Sequence, residues 1–237
     1  MKNKIVFLAL LFSSSVSFAL TLSELRTNSR LLIKDTSAIR QRFSDTQINN
    51  FVNEAQRDAI NNTWCISKSA EIPLVIGTTY YTIPTDSIAI QRVTFQRRNM
   101  PETTLIKLDG DFNNAAWENS IGTPVSYFQD PTQTDKIGVY PWPNTASSTG
   151  TLRLIYYSQG TNLSADADEP FNSEDRFVSY HDILPYFVAY RVYLLEGEIE
   201  KATTYRQEYE SRLQIMGGRV GSKINYTPSI SGSSGGR

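Results

Sequence analysis

Residues able to do chemistry are few in this chain, and they are scattered. There is one histidine, His181, and one cysteine, Cys65. A hydrolytic triad therefore has a single candidate base, and a zinc site lacks its ligand cluster. His181-Asp182 reads as a helix start with Asp182 as its cap, and Cys65 beside Trp64 as a half-buried thiol closing a helix. Asp166, Asp168 and Glu169 before Pro170, and Asp109 with Asp111, are carboxylate groups of the kind that ligate calcium. Neither has EF-hand spacing, so both read as acidic turns in water. No Gly-rich phosphate loop occurs, and Gly217-Gly218 precedes no P-loop lysine. No local motif nominates a carboxylate pair for glycoside hydrolysis. The chain is not expected to be an enzyme, and no catalytic residue, cofactor or metal is expected.

Two groups suit contact rather than catalysis. Arg92, Arg97 and Arg98, with Gln91 and Gln96 between them, form the densest basic patch and read as a hairpin or loop before Met100-Pro101. Such a patch can touch a phosphate backbone or a partner's acidic rim, but its first reading is a solvated hairpin tip. Aromatic residues concentrate in the middle of the chain at Tyr80-Tyr81, Tyr140-Pro141-Trp142-Pro143 and Tyr156-Tyr157. They can be core, sugar-stacking platforms or interface anchors, and composition does not choose among these.

The elements that position these groups can be read from capping and periodicity. Thr21 with Glu24, and Ser44 with Gln47, are capping boxes, flanked by the staples Leu20/Leu25 and Phe43/Ile48. The first opens a short helix through about Ile33. The second runs into a stripe of Ile48, Phe51, Val52, Ala55, Ala59 and Ile60, leaving Asn49, Asn50, Asn53, Arg57 and Asp58 on a wet face. Strands are expected over residues 71–76, 79–83, 88–93, 104–108, 125–129, 136–140 and 152–158, the last lying centrally in a small antiparallel sheet. Helix returns at Asp182 with Pro185 in its first turn, ends near Gly197, and resumes to Met216. That last helix places Ile199, Ala202, Tyr205 or Arg206, Tyr209, Leu213 and Met216 on one side, with Arg206/Glu210 and Glu208/Arg212 pairs outside.

The expected fold class is α+β: a discontinuous helical bundle of two N-terminal and two C-terminal helices around a β-rich antiparallel insertion with one sheet, and a disordered C-terminal tail. The expected division is residues 1–19 as a signal-like hydrophobic segment, 20–69 as the N-terminal helices, 70–165 as the insertion, 166–217 as the C-terminal helices and 218–237 as a Gly/Ser-rich tail. Lys plus Arg number 23 against 24 Asp plus Glu, so bulk charge draws the chain to neither nucleic acid nor anionic membrane. The first residues have the basic and apolar regions of a secretory signal, with Ser17-Phe18-Ala19 at the cleavage positions.

Taken in order, Leu22-Ser23-Glu24-Leu25-Arg26, Ser44-Asp45 and residues 51–56 resemble the N-terminal helices of tailed-phage head-to-tail adaptor, or connector, proteins. Residues 81–86 followed by Ile90-Gln91-Arg92-Val93 look like the first hairpin of that family. Tyr140-Pro141-Trp142-Pro143 with residues 152–157 is similar to its later strands, as is the loop carrying Leu163, Asp166, Asp168, Glu169 and Pro170. Leu184, Tyr186, Ala202, Tyr205 and Tyr209 complete a match from about Leu20 to Met216. The resemblance implies a virion protein assembled in the host cytoplasm as a homo-oligomeric ring of about a dozen copies, a dodecamer. Its implied partners are the portal, tail or nozzle proteins, and double-stranded DNA that passes through the channel without sequence-specific binding. The segment after Gly217 would order against the portal. The export-like N-terminus departs from that family. It keeps a second reading open, a periplasmic or secreted β-rich binding protein that takes carbohydrate on Trp117, Trp142 and the tyrosines.

Overall fold

Each of the first two helices begins where its side chains close a capping box. The computed structural model describes residues 19–37, 39–111, 116–147 and 149–221. Thr21 and Ser44 accept hydrogen bonds from the amides of Glu24 and Gln47, whose side chains accept in return from the two cap amides. They open α1 (Leu22–Leu32) and α2 (Asp45–Thr63). The free amides of Leu22 and Ser23 find the carbonyls of Asp168 and Asp166 at 2.8 and 3.1 Å. The acidic loop therefore caps α1 with its backbone.

Between the helical segments lie β1 (Ser67–Pro73), β2 (Tyr80–Thr82), β3 (Ser87–Phe95), β4 (Arg98–Met100), β5 (Glu102–Thr103), α3 (Leu105–Asp111), β6 (Ile121–Gly122), β7 (Ser126–Phe128), β8 (Lys136–Tyr140), β9 (Trp142–Pro143) and β10 (Thr151–Ser158). One sheet has the order β1-β10-β3-β4, all antiparallel, so β10 is flanked on both sides as its alternating pattern implied. The second has the order β2-β8-β7-β5, with β5 parallel to β7, and β6 pairs with β9 in parallel. The expectation of a single sheet is thus corrected to two four-stranded sheets and a two-stranded one, antiparallel except for the short pairs β5–β7 and β6–β9. The sheets face each other: Ile72, Val93, Leu152 and Leu154 of the first share a core with Tyr81, Tyr127, Ile137 and Val139 of the second. On the outer face of the second sheet, Tyr80, Phe128 and Tyr140 are covered by Leu105 and Leu108 of α3 and by Trp117 of the 3-10 turn Ala116–Asn119.

Two of the expected strands move. Residues 104–108 form the start of α3, because Thr104 accepts the Lys107 amide through both its hydroxyl and its carbonyl and turns the chain into a helix. A short apolar run fits either period, and here Leu105 and Leu108 need the helical one to reach the sheet together. β1 begins at Ser67, four residues before the expected strand, and leaves Val75 and Ile76 in an exposed turn.

The chain then returns through 3-10 turns at Phe171–Ser173 and Asp175–Ile183 into α4 (Leu184–Leu195) and α5 (Ile199–Gly221). α4 is apolar almost all round, and Leu184, Phe187, Val188, Ala189 and Val192 are buried against α1, α2 and α5. The start of α4 corrects the expected cap. Ile183 is already helical, the His181 carbonyl accepts the Leu184 amide, and Asp182 pairs with Arg212 of α5 instead. Pro185 does occupy the first turn, and Gly197 adopts φ +75° after the last turn, the conformation a glycine supplies at least cost.

On α5 the expected pairs Arg206/Glu210 and Glu208/Arg212 form. Ile199, expected on the inner face, is 60% exposed at the first position of α5. α5 also runs past Gly217, where a flexible segment was expected to start. Met216 is buried and Val220 packs on the core, so the apolar period continues. The signal-like segment, apart from Ala19, and the tail beyond residue 221 lie outside the described residues.

Candidate functional site

The basic patch sits on the hairpin joining β3 and β4. Gln96 and Arg97 take φ of +48° and +65°, the left-handed pair of a two-residue hairpin whose twist matches its strands. Strand alternation then divides the three arginines. Arg92 points to the outer face of the first sheet and donates from Nε to Asn99 Oδ1 at 3.2 Å. Together with Arg97 at the turn and Arg153 of β10, it lines a shallow recess of about 410 Å³ that also holds Glu71, Thr94 and Ile155. Arg98 pairs in register with Phe95 and therefore belongs to the other face of the hairpin. The structure thus brings Arg92 and Arg97 together, adds Arg153, which the sequence did not single out, and separates Arg98. None of the four makes an ion pair among the described residues, so their charge is available to a partner.

A larger recess, about 740 Å³, lies between α2, α4 and α5. Its charges are already matched: Arg191 pairs with Glu54 at 3.2 Å, Arg206 pairs with Glu210, and Tyr209 donates to Asp58 at 2.7 Å. Burial and the Asp58 carboxylate push the Tyr209 hydroxyl far above its ordinary range, so it remains a hydrogen-bond donor. This groove has the chemistry of a helix junction, without an activated nucleophile.

The other candidates are structural. Cys65 is 1% exposed, deeper than the half-buried position expected, because it follows the α2 terminus directly into the core; burial raises its thiol to about 11. His181, expected only as the neighbour of a cap, is fully buried: its Nδ1 accepts the Leu20 amide, and burial pushes its pKa down to about 4. Asp166 pairs with Arg26, and Asp168 accepts the amides of Ser164 and Ala165, bonds that hold its carboxyl below the usual range. Among the described residues no group of three or more His, Cys, Asp or Glu side chains could hold a metal ion.

The aromatic groups resolve toward core. Trp117 is 4% exposed, donates to Asp109 at 2.7 Å and packs edge-on against Phe128 and Tyr140. Trp142 is half-buried with its indole nitrogen buried, and Tyr81, Tyr127, Tyr156 and Tyr157 are buried. Trp117 and these four tyrosines are therefore core residues, while Tyr80, Tyr140 and Trp142 are half-buried.

Sequence reasoning placed Asn53 in water; it is 9% exposed and joins α2 to the loop after β10. Its Oδ1 accepts the Leu163 amide at 2.7 Å and its Nδ2 donates to the Leu163 carbonyl at 2.9 Å. Gln56, one turn on, donates to the Thr161 carbonyl and accepts the Phe171 amide. Polar residues spaced by three on a helix are the only signal that could have marked this latch.

No helix among the described residues is long and apolar enough to cross a membrane. The family model described as SU10 adaptor protein matches residues 20–230. No curated protein matches the chain.

Proposed function

The chain belongs to the SU10 adaptor protein family and is a phage structural adaptor, and from that premise we propose that it forms a ring beneath the portal of the virion. In this reading the helical bundle surrounds the DNA channel, and the insertion reaches toward tail components. The observation that carries the proposal is the family match over residues 20–230, which takes in both helical segments and the insertion. Three features support it. A bundle built from both halves of the chain leaves a two-sheet insertion free to present its outer faces. The near balance of acidic and basic residues, 24 against 23, suits a lumen through which DNA slides. The arginines at the β3–β4 hairpin, which form no ion pair among the described residues, offer a local contact for phosphate or for an acidic partner.

The test is to image purified particles with and without this protein. The proposal requires ring-shaped density between portal and tail that disappears, along with tail attachment, when the gene is deleted. Full heads with tails attached in the deletion would overturn it. A second measurement concerns the C-terminus: deletion of residues 218–237 is expected to weaken portal binding, and wild-type binding would remove that segment from the contact.

A further inference from the structure

The β insertion carries opposite charge on its two outer faces. On the first sheet, the outward residues are Arg92, Arg97 and Arg153 against Glu71. On the far side, beyond the second sheet, the layer of α3 and the 3-10 turn presents Asp109, Asp111 and Glu118, with Asp130 held beside it by Tyr80, against Lys107. The two sheets and their shared core lie between these faces, so the charges are separated across the thickness of the insertion and do not neutralise each other. The basic face also has a recess, floored by half-buried Ile155, while α3 projects Ile106 at 85% exposure.

We propose that these two faces dock on each other between copies of this chain. The α3 face of one copy packs against the outer sheet face of the next, with Ile106 entering the recess beside Ile155 and the α3 carboxylates facing Arg92, Arg97 and Arg153. Because the two patches differ and lie on opposite sides, the contact is head-to-tail. Repeated with a closing rotation it makes a ring, and without closure a filament. The arginines have no carboxylate partner within the described chain, and a guanidinium matches a carboxylate in two parallel hydrogen bonds. Ile106, 85% exposed on a helix that also carries Lys107, Asp109 and Asp111, is an apolar anchor with a charged rim, the arrangement found at the centre of stable contacts. This inference rests on the ring reading for its biological setting, but it assigns the contact to particular surfaces.

The experiment uses the full chain in sedimentation velocity over rising concentration at low and high salt. One variant, R92E/R153E, makes both faces acidic; a second, D111K/E118K, makes the α3 face basic. All four residues are exposed, so both variants are expected to unfold at the wild-type temperature. Wild type is expected to associate more strongly at low salt, each variant alone at least about tenfold more weakly, and an equimolar mixture of the two to recover association. Variants that associate like wild type would overturn the contact while leaving a ring built through other surfaces. Loss in each variant without recovery in the mixture would show that the two faces do not pair. Wild type and mixture both monomeric at the highest concentration would also overturn the contact, with the ring itself judged separately from the particle images.

Discussion

Leu20 and His181 meet across the length of the chain: the Leu20 amide donates to His181 Nδ1 at 3.0 Å. This bond places the imidazole proton on Nε2, which is buried and has no hydrogen-bond partner among the described residues. A second proton has nowhere favourable to go, and burial holds the pKa down to about 4 against an ordinary value of 6.5. The unfolded chain therefore binds more protons between those two values. Stability is full above about pH 6.5, falls as pH drops through that window, and is lower by about 3 kcal/mol at its acid end. Urea unfolding at steps from pH 7 to pH 4 should show this loss, and His181→Gln should flatten it. A slope that persists in the variant would assign the effect elsewhere.

The Asn53 latch predicts a large cost from a small change. Asn53→Ala strands the Leu163 amide and carbonyl in a buried place, and is expected to destabilise the fold by about 2–4 kcal/mol. Asn50, on the same helix but exposed, should tolerate alanine within about 0.5 kcal/mol. Equal effects at the two positions in chemical denaturation would contradict the latch.

What could be read from the sequence, and what could not, follows from the range of the interactions. Both capping boxes, the exposed α5 ion pairs and the central place of β10 depend on residues within a few positions of one another or on one strand's alternation, and all are found. The misses are long-range. Asn53 looks solvated until the loop at Leu163 arrives, Asp182 looks like a cap until Arg212 claims it, and residues 104–108 look like a strand until a second sheet needs a cover. Of the candidate surface, the sequence marks Arg92 and Arg97, but Arg153 joins them only through pairing between β10 and β3. Of the acidic face opposite, the sequence marks the pair Asp109 and Asp111, but Glu118 and Asp130 join them only through the folding of a 3-10 turn and a loop.

Arg30 and Asp35 test the ion network that ties α1 to α2. Arg30 reaches Asp35 at 2.8 Å and Asp45 at 2.7 Å and also donates to the Phe43 carbonyl, while the Asp35 side chain is 2% exposed. Arg30→Met leaves that carboxylate buried without its main counter-charge, and should cost about 3–5 kcal/mol. Arg206→Met removes a solvent-exposed pair with Glu210 and should cost less than about 1 kcal/mol. Thermal unfolding of the two variants separates these cases, and a cost at Arg30 no larger than at Arg206 would mean that the α1–α2 junction does not depend on the network.

Gly138 tests how the outer layer is seated. A Cβ added there would lie 2.1 Å from the Phe128 ring, which is fully buried and held edge-on by Trp117 and Tyr80. The ring cannot retreat without displacing Trp117, and Trp117 with Leu108 anchors the α3 layer to the sheet. Gly138→Ala is therefore expected to cost about 1–3 kcal/mol and to speed amide exchange in α3 beyond its effect on the helical bundle. Phe128→Leu makes room at the same point, so the double variant should cost less than the two single changes added together. Strict additivity would mean that the glycine is not there to admit the ring, and that the α3 face rests on other contacts.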